Sequence, residues 1–301
     1  MTRSITVGLD GSLESRAAAE WAAREAELRR VPVRILHVWE PVPEPMAQAP
    51  LLGAETQQHW SEKIPHDCAE RLRLRHPGIE VIAEHLAGRP SEVLSEAAKT
   101  AELLVLGSRG LSGIGGFLVG SVGSAVVAHA DCPTVLVRAG EQATDEHETD
   151  PAGMPSAATR YRPVVLGLDV DHLDASVIDF AFDEAVRRDT GLRVVHGWSL
   201  PPYYWDGPTT DLQQYDQVAH WHASALGEAL NPWRQKSPSL EVVEEFRTGS
   251  PADLLIGASR TASLVVVGRR IRRHPFGAHI GPVAHAVLHH ATAPVAVVAH
   301  D

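Results

Sequence analysis

"ELLVLGSRGLSGIGGFLVGSVGSAVV", Glu102–Val127, passes from an apolar run through a glycine-rich loop into a second apolar segment. The run "LLVLG" is apolar on both faces, which suits a strand covered by helices on both sides of a sheet. Seven glycines then fall between Gly107 and Val127. Gly107 closes the strand and Gly120 with Ser121 opens a helix, so the stretch reads as one strand–loop–helix unit.

The unit occurs twice. "LVVVGRRIRRHPFGAHIGPVAHAVL", Leu264–Leu288, repeats it, and Gly88, Gly107, Gly120 and Pro133 return 161 residues later as Gly249, Gly268, Gly281 and Pro294. Nearer the start of each copy the offset is 159, carrying Asp10 onto Asp169 and His37 onto His196. A register held without gaps from Gly88 to the end marks a tandem duplication. Residues 1–140 form one domain and 161–301 the second. Between them, 141–160 is polar, acidic and aperiodic, and reads as a linker.

Each copy alternates short Val, Ile and Leu runs with amphipathic segments. In the first, strands are expected at 5–9, 33–38, 79–86, 103–107 and 134–138, with helices near 15–30, 57–76, 90–101 and 120–130. This predicts an α/β fold of two tandem doubly wound domains, each a five-stranded, mainly parallel sheet with helices on both faces. Ligands of such sheets sit at the carboxyl ends of strands, where the winding direction switches.

The chain has 301 residues and a formal net charge of −11, which argues against nucleic acid or an anionic membrane as the main partner. Its two cysteines, Cys68 and Cys132, are too few for a disulfide framework and lack metal-ligand spacing, so a reducing, cytoplasmic setting is expected. No signal-peptide pattern opens the chain, and no run approaches the ~20 apolar residues of a membrane span.

A loop from strand end to helix start presents backbone N–H groups and the positive end of the helix dipole, a site for anions. Ser121 can cap the helix or donate its hydroxyl to a phosphate oxygen. The loop lacks the Lys-Ser/Thr ending of a Walker A motif and does not fit the dinucleotide fingerprint. "VGLDGS" ends the first strand at the same edge with Gly8 and Asp10, and "LHVW" adds His37 and Val38. Asp10 suits ribose hydroxyls or an adenine amino group, and equally a helix cap.

At these residues the chain resembles the universal stress proteins in their tandem bacterial form. The pattern G-x2-G-x9-G-S/T of their ATP-binding members is met by Gly107, Gly110, Gly120 and Ser121. The resemblance implies ATP, with or without Mg, in the first domain. It further implies that Gly8, Asp10 and Val38 meet the nucleoside, and that Gly107, Ser108, Arg109, Gly110, Leu111, Ser112 and Gly113 line the ribose and phosphate path. Gly120, Ser121 and Val122 would hold the phosphates. It also implies pairing of domains through the last strands, "TVLVR" and "VAVVA", within the chain or in a homodimer.

The second copy keeps Gly167, Asp169, Gly268 and Gly281 but carries Ile271 for Gly110, Pro282 for Ser121 and Gly197 for Val38. Proline removes one N–H and the hydroxyl. Arg269, opening "RRIRRH", would supply side-chain charge instead, so Gly167, Asp169, Gly268, Arg269 and Gly281 form a candidate second nucleotide site. His285, His289 and His290 read as surface residues rather than a metal site, and "PPYYWDGP" as a packed loop or lid. No catalytic base or metal carboxylate pair is recognisable. The expected function is a nucleotide-dependent regulator in stress or dormancy, acting on an unknown protein partner. A slow ATPase or autophosphorylating enzyme using Ser121 or Ser124, and a scaffold with a structural nucleotide, are the alternatives.

Overall fold

The computed structural model describes residues 3–40, 54–110, 117–118, 120–198, 212–271 and 280–301. The first domain contributes β1 (Ile5–Gly8), α1 (Leu13–Arg29), β2 (Val33–Trp39), α2 (Ala54–Arg75), β3 (Val81–Ala87) and α3 (Pro90–Ala98). It continues through β4 (Leu103–Gly110), β5 (Phe117–Leu118), α4 (Ser121–His129) and β6 (Thr134–Arg138). After α5 (Ala143–Glu146), the second domain follows with β7 (Val164–Gly167), α6 (Ala175–Arg187), β8 (Leu192–Trp198), α7 (Leu212–Lys236) and β9 (Val242–Thr248). It ends with α8 (Pro251–Ser259), β10 (Leu264–Arg270), α9 (Pro282–His290) and β11 (Val295–His300).

The main strands form one sheet in the order β3-β2-β1-β4-β6-β11-β10-β7-β8-β9, with β5 folded back on β4. Within each domain these strands run parallel, as apolar runs joined through helices require. At the junction β6 meets β11 antiparallel, Val135 opposite Ala296. The carboxyl edges of the two half-sheets therefore face opposite ways, and the winding switches between β1 and β4 and between β7 and β10.

Two apolar cores cover the two faces, and both cross the domain boundary. Trp21 of α1, Ile178 of α6 and the inward faces of β1, β2, β7 and β10 make one. Leu94 of α3, Val126 and Val127 of α4, Leu255 of α8, and Val287 and Leu288 of α9 make the other.

Residues 141–160, expected as an aperiodic linker, fold back on the first domain. Glu141 and Glu146 are buried and both hold Arg24 of α1, at 2.7 and 2.9 Å. His147 then bridges Tyr161, and the Glu148 N–H donates to Arg160 O at 2.9 Å, so the segment returns on itself. Two buried carboxylates on one guanidinium order a stretch whose composition suggested none.

Candidate functional site

In the first domain the crevice lies beyond the ends of β1 and β4. Two of its glycines answer to packing. A Cβ on Gly8 would stand 2.6 Å from Leu106 Cδ2, and one on Gly107 would stand 2.5 Å from the carbonyl carbon of Glu14 in the first turn of α1. Leucine side chains crowd Gly8 and a close helix–strand approach crowds Gly107, each independent of any ligand.

Gly120 has no such reason. Its φ is −62°, open to any residue, and a Cβ there would meet no atom within 4 Å. It is the N-cap of α4, yet no side chain caps that helix. The ladder begins with the Ser124 N–H donating to Gly120 O at 2.9 Å, which leaves the N–H groups of Ser121, Val122 and Gly123 outside it. Ser121 is exposed, and Val122 packs partly against the second core. A bare, uncapped helix start with an exposed hydroxyl is an anion cradle.

Asp10 stands at the other side of the crevice, on the loop after β1. Its Oδ1 accepts from the Ser12 N–H at 3.0 Å and the Ser12 hydroxyl at 2.5 Å, while its own N–H donates to Ser15 Oγ at 3.3 Å. Burial pushes the carboxyl up, but the Ser12 and Ser15 hydrogen bonds overcome it and hold it below its ordinary value. The cap of α1 is Ser12, whose Oγ accepts from the Ser15 N–H, and Asp10 braces that cap. Asp10 remains exposed.

Val38 is half-buried against the second core. Ser108 is buried at 4% exposure on β4, so its side chain is turned into the fold. Arg109 and Gly110 continue β4 and pair with Leu118 and Phe117 of β5, which makes a hairpin of the start of the glycine loop. Leu111, Ser112 and Gly113 lie outside the described residues.

One contributor recurs in both domains. His37 Nδ1 donates to Leu9 O at 2.6 Å, and His196 Nδ1 to Leu168 O at 2.9 Å. Each buried imidazole pins the residue before the crevice aspartate. Its signal in the sequence was the shared offset of 159.

In the second domain the crevice is a cleft of about 480 Å³. Gly167, Asp169, Gly268 and Gly281, predicted from the repeat, all line it. Gly281 repeats Gly120: φ −61°, open space, and no side-chain cap on α9. With Pro282 at the first turn, only the Val283 and Ala284 N–H groups lie outside the ladder that begins at His285. Gly197 replaces Val38 because a Cβ there would lie 2.8 Å from Pro251 Cα at the start of α8.

Arg269 corrects the sequence reading. It does not line the cleft; its buried guanidinium crosses to the first domain and donates to Ala130 O at 2.7 Å. Arg270 lines the cleft in its place. The repeat comparison also missed His172, which lies 2.9 Å from Asp169, and His300, which lies 3.8 Å from Asp174. All four line the cleft, and the first copy has no histidine matching His172 or His300. Among the described residues no cluster of His, Cys, Asp and Glu could hold a metal ion, and no helix is long and apolar enough to cross a membrane.

The sequence pattern of the universal stress protein family matches residues 1–138 and 160–299. The chain belongs to the universal stress protein family. A universal stress protein of Mycolicibacterium smegmatis is 32% identical over 304 residues, covering 98% of this chain and 96% of its own. One from Mycobacterium tuberculosis H37Rv is 32% identical over 307 residues, covering 97% and 96%. A crystal structure of a universal stress protein from Archaeoglobus fulgidus superposes over all of both chains with a TM-score of 0.71 at 16% identity, which shows the shared fold. This universal stress protein thus carries two copies of the family's domain, joined through their last strands.

Proposed function

We propose that the first domain binds an adenine nucleotide, ATP with or without Mg²⁺, and that occupancy regulates a protein partner under stress or dormancy. The observation that carries this reading is Gly120. Neither backbone conformation nor packing calls for glycine there, and the helix it opens has no cap of its own. A phosphate supplies the missing acceptor, and Ser121 adds a hydroxyl. Asp10, across the crevice, offers its remaining acceptor capacity to ribose or adenine. A Mg²⁺ ion would arrive with the phosphates rather than in a protein cage.

The second cleft offers a helix start with one N–H fewer and Arg270 in its lining. Weaker or different nucleotide binding is expected there. Native mass spectrometry of the intact purified chain, followed by titration with Mg·ATP, tests the reading. Co-purifying nucleotide or saturable binding supports it, and the absence of both removes it. Turnover well above background that a Ser121→Ala substitution abolishes would shift the function toward an ATPase or autophosphorylating enzyme.

A further inference from the structure

Because β6 and β11 are antiparallel, the two crevices open on opposite edges of one sheet. Helices α4 and α9 each start at their own crevice, run back over the sheet and end at the opposite edge. The carboxyl end of α4 therefore arrives beside the second domain's cleft. There Ala130, its C-cap, accepts the hydrogen bond from Arg269. On β10, Arg269 stands between Gly268 and Arg270, both in the cleft lining.

We infer that Arg269 is a positioning residue that couples the two crevices, holding the first domain's phosphate helix from a position on β10 between two residues that line the second domain's cleft. The inference rests on the nucleotide reading of the first domain. Helix α4 has nine residues, and its two ends complement each other. Anionic phosphate is favoured at the uncapped start and a cation at the end, on one dipole. Arg269 is only 4% exposed, and Asp131 favours its ionised form against burial. A buried guanidinium with a carbonyl acceptor is costly to displace, so α4 and β10 move together.

A second, separate contact links the two domains. Strand β5, on the hairpin that begins the glycine loop, packs against α9, whose N-cap Gly281 lines the second cleft. Only the second domain contributes such an arginine. Ser108 holds the matching position in the first copy, and a serine is too short to span the same gap. Two sites joined by a rigid helix and a packed hairpin share a coupling free energy, which acts reciprocally on their ligands.

The test measures Mg·ATP binding to the intact wild-type chain and to Arg269→Ala, Arg269→Met and Arg269→Lys. Amide exchange across residues 121–130 of the ligand-free proteins is followed in parallel. Arg269→Ala is expected to weaken binding to the first domain about fivefold or more and to raise exchange along α4. Arg269→Lys should restore most of the affinity, and Arg269→Met should behave as Arg269→Ala does. Equal affinity and equal α4 exchange in wild type and Arg269→Ala overturn the inference while leaving nucleotide binding intact. No binding by the wild type removes the nucleotide reading, and the inference with it. If Arg269→Ala does not fold, Arg269→Met decides: affinity and α4 exchange equal to wild type overturn the link, and weakened affinity with raised exchange supports it.

Discussion

Glu25 of α1 accepts a hydrogen bond from Arg188 Nη2 of α6 at 2.6 Å, and both side chains are 1% exposed. The two residues belong to different domains. Their repeat counterparts complete the arrangement: Arg29 donates to Glu184 across the boundary, and each domain closes an i,i+4 pair, Glu25–Arg29 and Glu184–Arg188. Two carboxylates and two guanidiniums thus make a buried quartet that obeys the offset of 159. Burial pushes the Glu25 carboxyl up, and Arg188 and Arg29 overcome it, holding it down at about 2. Glu25→Gln would leave two buried cations facing one carboxylate and should cost about 3–5 kcal/mol. Chemical denaturation of both proteins at neutral pH measures this. Because the folded carboxyl is depressed, the loss should persist down to the ordinary carboxylate range and fade only as pH falls toward 2.

The linker predicts the opposite pH dependence. Burial pushes Glu141 up to about 7, its neighbour Glu146 adds to that, and Arg24 opposes it. The folded chain therefore holds this proton more tightly than the unfolded chain. Its contribution is complete below the ordinary carboxylate range and is lost as pH rises through about 7. Glu146, Asp145, His147 and Arg162 surround the site, and Glu146 is raised as well. Thermal melts of the wild type should fall as pH rises from the ordinary carboxylate range to about 7 and level off above it. Glu141→Gln should flatten the profile. An unchanged slope in that variant would refute the assignment.

Glycine substitutions separate packing from ligand access. Gly107→Ala drives a Cβ into the backbone of α1 and should cost about 3 kcal/mol, seen as a lower denaturation midpoint. Gly120→Ala meets open space at an ordinary φ, so stability should change by less than about 1 kcal/mol. Its effect should fall on nucleotide affinity.

Gly197→Val tests why the second crevice lost its valine. A Cβ at 2.8 Å from Pro251 Cα forces the start of α8 outward, and a loss of about 1–3 kcal/mol is expected on denaturation. Val38→Gly in the first domain should instead cost only its apolar packing, about 1–2 kcal/mol.

The duplication made the fold legible. Apolar runs buried on both faces and a constant offset located the strands and their order of use, and Gly167, Asp169, Gly268 and Gly281 do share one cleft. What stayed hidden depends on contacts between distant segments. The packing demand on Gly107 comes from the first turn of α1, which is remote in sequence. Arg269 sat in a basic run that suggested phosphate, yet the antiparallel junction places Ala130 O within its reach. The order of residues 141–160 depends on Arg24, whose repeat counterpart is Asp183, so no comparison of the copies could reveal it.

Calorimetric titration of Mg·ATP into the intact wild type and Gly120→Ala, with melts of both, tests the central claim most directly. The account predicts saturable binding by the wild type, a loss of at least about tenfold in the variant at the first-domain site, and nearly coincident melts. Equal affinity in the two proteins, or no binding by a folded wild type, would contradict it.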